Sequence, residues 1–140
     1  LPIRIYYEDT DFTGLVYHAN YLRYFERGRS DALRLMGIGH AELLAGEEPL
    51  AFVVSKMRLT FLKPARIDDA LLVHTSYDDL RGACLMINQA ITRGADVICT
   101  ATVDVACIHM DGRPRRPTRA LKDKIGPWLA VNQTISKPET

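Results

Sequence analysis

One change of hydrophobic period constrains this chain more than any other feature. From about Asn20 to Met36 the apolar residues Leu22, Phe25, Ala32, Leu33 and Met36 recur at helical spacing, while Arg23, Arg27 and Arg34 fall largely off that stripe. After Pro49 the period drops to two. Val53, Ser55, Met57, Leu59 and Phe61 point one way and Val54, Lys56, Arg58 and Thr60 the other. Leu71, Val73, Thr75 and Tyr77 alternate next, then Leu85, Ile87, Gln89 and Ile91, and last the long run Val97 to Met110. The two periods cannot share an element, so the pattern requires one long amphipathic helix followed by strands. Gly82 and Gly94 mark tight turns between the last three runs. Ile3 to Tyr7 reads as a short strand ahead of the helix. Asn20 is the expected N-cap and Gly37 the expected stop. His40 to Ala45 predicts a further short turn, and Arg119 to Leu129 a final helix. The expectation is an α+β domain of one strand, one long helix and a four-strand antiparallel meander.

At 140 residues the chain makes one domain, placed at residues 1–131, with 132–140 as a loose polar tail. A single sheet buries the helix stripe on one face only. Its other face and its edges must meet solvent or another subunit, which predicts a homodimer or homotetramer. The formal charge of +1 excludes a protein built mainly to hold nucleic acid. No apolar run approaches the roughly 18 residues that span a bilayer, so no transmembrane segment is expected. Cys84, Cys99 and Cys107 are odd in number and lack a C-x-x-C spacing, which favours reduced thiols in a cytoplasmic protein. No histidine or cysteine spacing points to a metal site.

The chemistry concentrates between Tyr7 and Arg29. An acidic turn (Glu8, Asp9, Asp11), a glycine at 14 and His18 at the mouth of the helix lie close together in sequence. A carboxylate beside exposed helix N–H groups can manage both a proton and a developing oxyanion, which suggests acyl chemistry. Aspartates also serve as plain turn residues, the preferred reading for Asp9. Glu26, with Arg29 at i+3, is a rival carboxylate whose expected fate is a structural ion pair.

The pattern Tyr7-x-Asp9-Thr10-Asp11-x-x-Gly14-x-Val16-Tyr17-His18-x-Asn20-Tyr21, followed by Glu26 and Arg29, resembles the 4-hydroxybenzoyl-CoA thioesterase family. The similarity is greatest to its YbgC-type branch of Tol-Pal-associated acyl-CoA thioesterases. Weaker similarity continues through Phe61-x-Lys63-Pro64-Ala65-Arg66-x-Asp68 and Leu80-Arg81-Gly82-Ala83. The resemblance implies a hotdog fold, a long central helix wrapped by a five-stranded antiparallel sheet. It also implies hydrolysis of acyl-CoA, with an active site between paired subunits. Asp11 takes the catalytic position, as nucleophile or as general base for water. The backbone N–H of His18 takes the place that polarises the thioester carbonyl. Arg81, and more weakly Lys63, match regions that meet the coenzyme A moiety. No cofactor is implied, because coenzyme A is part of the substrate.

Arg113, Arg115, Arg116, Arg119, Lys122 and Lys124 read first as solvated surface, or as a face for coenzyme A or an acyl carrier protein. Two other functions are weighed against the hydrolase. A hydroxyacyl-thioester dehydratase lacks its histidine-proline signature here. A non-catalytic acyl-CoA binding module has no need of an intact acidic turn.

Overall fold

The structure, a computed structural model, describes residues 1–46 and 49–132. Strand β1 (Pro2–Arg4) leads into a 3-10 turn (Tyr7–Asp9) and helix α1 (His18–Leu35). A short helix α2 (His40–Ala45) follows, then β2 (Leu50–Phe61), β3 (Ala70–Arg81), β4 (Cys84–Arg93) and β5 (Asp96–His109). Helix α3 (Arg119–Ile125) comes last and runs into 3-10 turns. Pro127 stops the helix expected to reach Leu129, since proline offers no N–H to the preceding turn. The tail expected at 132–140 lies outside the described residues except for Asn132, whose side-chain amide donates to the Gly126 carbonyl at 3.1 Å.

All strand pairs are antiparallel, in the order β1-β3-β4-β5-β2. The two-residue turns at Gly82 and Gly94 force β3, β4 and β5 into a meander, as expected. Strand β2 departs from it. It pairs with β5 from Leu50↔His109 to Phe61↔Cys99, so it forms the far edge of the sheet. Alternation fixes which face a residue takes but not which neighbour a strand takes, and the 62–69 connection is long enough to reach that edge.

A bulge between Val54 and Lys56 also corrects the expected facing of β2. One extra residue reverses the alternation. Leu50 and Phe52 therefore turn to the core before it, and Met57 and Leu59 after it. Strand β1 is shorter than expected. The Asp9 carboxylate accepts from the Tyr6 N–H at 2.8 Å and turns the chain into the 3-10 segment before Tyr7.

Helix α1 lies on the sheet through Tyr21, Tyr24, Phe25, Gly28, Ser30 and Leu33. Leu22, placed on the stripe by spacing, is exposed, because the tyrosines take the inner face. Gly28 allows this contact to close. A Cβ there would sit 2.7 Å from Val73 Cγ1 and 3.0 Å from Thr75 Oγ1. Beneath it the buried Gln89 donates through Nε2 to the Phe25 carbonyl at 2.9 Å and to Thr75 Oγ1 at 3.0 Å. Its Oε1 accepts from Arg29 Nη1 at 3.0 Å. All three cysteines are free thiols. Burial raises the Cys99 pKa to about 11, which leaves it a core residue rather than a nucleophile.

Candidate active site

The segment between the 3-10 turn and α1 is a small closed loop. Thr10 bridges Val16 across it, and the Asp11 N–H donates to the Leu15 carbonyl at 2.9 Å. Gly14 has φ +80° and donates to the Asp11 carbonyl at 3.0 Å, with nothing near the place of a Cβ. It is needed for its dihedral, not for a close approach. Two bonds pin the loop to the start of α1: the Asp9 carbonyl accepts from Tyr17 N–H at 2.9 Å and from Asn20 Nδ2 at 2.8 Å. Asn20 is therefore a tether inside the first turn rather than the N-cap. The cap position belongs to Tyr17, whose side chain makes no capping bond.

Within this loop Asp11 is held by one oxygen. Its Oδ1 accepts from the Thr13 hydroxyl at 2.5 Å and the Thr13 N–H at 2.8 Å, while Oδ2 has no hydrogen-bond partner among the described residues. These bonds, the hydroxyl first, lower the Asp11 pKa below its usual 3.8 against a small opposing effect of burial, with a lesser contribution from His18. Asp11 is thus an anion at neutral pH with one fixed and one open oxygen. Thr13 was not singled out in the sequence, although Asp-x-Thr in a turn is an Asx-turn signal.

His18 is the first residue of α1, and its ring is exposed. It meets Tyr17 at 4.7 Å and the edge of Phe61, at the end of β2, at 6.3 Å between centroids. With no side-chain cap and no acidic residue in the first turn, the start of α1 presents the positive end of the helix dipole, although the Asn20 N–H is taken by the Tyr17 carbonyl at 2.9 Å. Asp11 and His18 lie close enough for His18 to contribute to the lowered Asp11 pKa. Tyr17 and Phe61, which border the His18 ring, are exposed, as are Tyr7 and Phe12 on either side of Asp11 in sequence, Phe12 fully.

Lys63 lies at the same end of the sheet and pairs with Asp96 at 2.8 Å. Arg81 does not join them. It closes β3 at the opposite end, roughly 36 Å along the strand from the Ala70 end near the loop, and pairs with Asp79 at 2.7 Å. Glu26 and Arg29 do not make the expected contact pair. Glu26 accepts from Ser30 Oγ at 2.7 Å and Arg29 turns inward to Gln89. Within the basic cluster Arg113 pairs with Asp111 and Arg119 with Asp123, as solvated surface would.

A sequence profile of the Thioesterase superfamily matches residues 13–104. The chain belongs to that superfamily. Among curated relatives, an "Acyl-CoA thioesterase YbgC" from Haemophilus influenzae is 41% identical over 109 residues, covering 78% of this chain and 79% of its own. The crystal structure of a probable thioesterase from Bartonella henselae superposes with a TM-score of 0.81 at 43% identity, over 84% of this chain and 97% of that one. A Thermus thermophilus protein reaches a TM-score of 0.84 at 24% identity, over 91% and 97% of the two chains. The fold is the hotdog fold, with α1 as the helix inside the curled sheet, and the superfamily's YbgC relatives are acyl-CoA thioesterases.

Proposed function

We propose that this chain hydrolyses acyl-CoA thioesters, with Asp11 and the start of α1 as its catalytic pair. The observation that carries the reading is an ionised carboxylate with one free oxygen beside an uncapped helix N-terminus. The thioester carbonyl oxygen lies toward the His18 N–H, which stabilises the negative charge that forms as the carbonyl carbon is attacked. Asp11 Oδ2 either takes a proton from the attacking water or attacks first and is released by water. In both routes a C–O bond forms, the C–S bond breaks, and the coenzyme A thiolate leaves and takes up a proton. A preorganised donor of this kind contributes about 2.7–4 kcal/mol to such a transition state. A placed base contributes roughly 10²–10⁴-fold in rate.

The working unit is a homodimer or larger assembly. The exposed aromatic side chains near His18 and the edge of β2, unpaired among the described residues, favour this. Antiparallel pairing of two β2 edges would set Phe61 of one copy against Leu50 of the other. Arg81 could then serve the partner's site, whereas it lies too far from Asp11 in its own chain. Lys63 is the nearer phosphate contact, once released from Asp96. Coenzyme A is the expected carrier, and an acyl carrier protein an alternative one. Three free thiols suit a reducing cytoplasm.

Free thiol release from a panel of acyl-CoA esters tests the proposal. Catalytic release supports the hydrolase. Saturable binding across the panel without release would make the chain a binding module instead.

A further inference from the structure

The loop that carries Asp11 is braced by a stretch of chain with no regular structure of its own. Residues 62–69 connect β2 to β3 without forming a helix or strand. The carbonyl of the fully buried Ala65 accepts from the Val16 N–H at 2.8 Å, and Leu15 bridges Arg66. The Leu15 carbonyl in turn accepts from the Asp11 N–H at 2.9 Å, and Val16 bridges Thr10. Where 65 and 66 lie therefore sets where the Asp11 backbone lies. An irregular stretch keeps one shape only if its polar backbone groups are fixed from outside. Asp68 shows that this one is held: its φ is +70°, in the left-handed region, a conformation that persists where the surroundings impose it.

The holding groups come from two sides. From one, Ile5 bonds to the backbone of Asp68 and Asp69 at 2.8 and 3.0 Å, and Arg4 Nη1 donates to the Asp68 carbonyl at 2.8 Å. From the other comes Arg93, the last residue of β4. Its Nη1 donates to the Pro64 carbonyl at 3.1 Å and to Asp69 Oδ2 at 2.8 Å. The same Asp69 oxygen accepts from the Arg66 N–H at 2.9 Å. Arg93 thus bridges Pro64 and Asp69, and so brackets Ala65 and Arg66, the two residues on which the loop rests. Burial opposes the Asp69 charge, yet the Arg66 N–H and the Arg93 guanidinium outweigh it and hold the carboxyl below the ordinary aspartate range. The pair is ionic at neutral pH and partly buried, which favours short, strong bonds. Asp96 stands farther off, at 3.9 Å from Arg93 Nη2, and bonds Lys63 instead.

We propose that Arg93 is a positioning residue of the hydrolase: it fixes 64–69 and, through Ala65 and Arg66, the place of Asp11. The inference rests on the thioesterase reading and adds to it a residue on which the geometry of that site depends. Arg93 acts on Asp11 through the backbone, not on the substrate. An ion pair that served stability alone would show in the melting temperature and leave the turnover of the folded protein unchanged.

The test uses the full chain and two variants. Arg93→Met keeps an unbranched stem and removes both bonds. Its kcat for thiol release from an acyl-CoA is expected to fall about 10- to 100-fold with KM nearly unchanged, the cost of a displaced reacting group. Hydrogen exchange of the Val16 N–H, read by NMR, should speed up about 10-fold or more while the Ile87 and Val103 amides in the sheet keep their protection. Asp69→Asn keeps the shape and an acceptor, so its kcat should fall by a smaller factor of about 3- to 10-fold. If Arg93→Met does not fold, Asp69→Asn decides by the same two readouts. Melting temperatures lowered with kcat and Val16 exchange unchanged would overturn the positioning role and leave the hydrolase standing. A wild-type chain that releases no thiol would overturn the hydrolase, and the positioning role with it.

Discussion

The two halves of α1 are built for opposite purposes. At its start the helix is uncapped, borders an exposed loop and meets aromatic rings that face outward. Four residues after Tyr24 the same helix is pressed onto the sheet through Gly28, tied by Gln89 to its own Phe25 carbonyl and to Arg29. Between them lies the buried Tyr24 hydroxyl, which has no hydrogen-bond partner among the described residues. Burial, and after it the Asp9 carboxylate, raise its pKa far above the ordinary tyrosine value. The contrast separates reactivity from rigidity. In the proposed mechanism the start of the helix meets the substrate, and the middle of the helix supplies the fixed position from which it acts.

This division can be broken from either side. The largest effect is expected at the first turn. His18→Pro removes one backbone donor while keeping the helix, because proline is tolerated at the first helical position and Tyr17 already has the extended ψ of 128° that a following proline prefers. Turnover should fall about 10²–10³-fold with little change in melting temperature. His18→Ala, which keeps the N–H, should cost far less, and equal losses in the two variants would transfer the role to the imidazole.

On the other side, Gln89→Leu leaves Arg29 and the Phe25 carbonyl without their buried partner. Denaturant melts should show a loss of about 1–3 kcal/mol. Gly28→Ala should follow at about 1–2 kcal/mol. It drives a Cβ into the stiff Val73 side chain, and the better helix propensity of alanine returns part of the cost. Neither variant should change the pH dependence of kcat/KM.

The smallest effect belongs to Thr13→Val. The proposed mechanism uses Asp11 as a carboxylate, and its pKa is lowered, so activity should hold as pH falls to the ordinary aspartate range and drop only below it. Removing the Thr13 hydroxyl takes away the largest cause of the lowering. The acid limb of the kcat/KM profile should then move up toward pH 3.8, with the neutral plateau nearly unchanged. A limb that stays in place would mean that another group sets it.

How much of this was legible in the sequence follows the same division. Period alone located α1 and all four long strands, His40 to Ala45 was expected only as a short turn, and the ordered Asp11–Gly14–His18 motif brought the candidate catalytic loop with it. Long-range choices were not legible. Nothing local tells β2 to pass its neighbour and pair with β5, and the Ser55 bulge reverses its faces without a glycine or proline to announce it. Tyr21 and Tyr24 displaced Leu22 from the core because spacing ranks a tyrosine as half-polar, whereas α1 lays both rings on its inner face. Gly28 did carry a signal, since a glycine inside a helical pattern costs about 1 kcal/mol and so marks a tight contact. Arg81 matched by motif yet stands at the far end of β3, a separation that only the three-dimensional path reveals.

The central claim is tested most directly by thiol release from acyl-CoA in the Asp11→Asn protein, beside a thermal melt of the same sample. A melt like the wild type with turnover reduced by about 10²-fold or more is the predicted result. Near-wild-type turnover in a folded Asp11→Asn protein would contradict it and move the chemistry to Glu26.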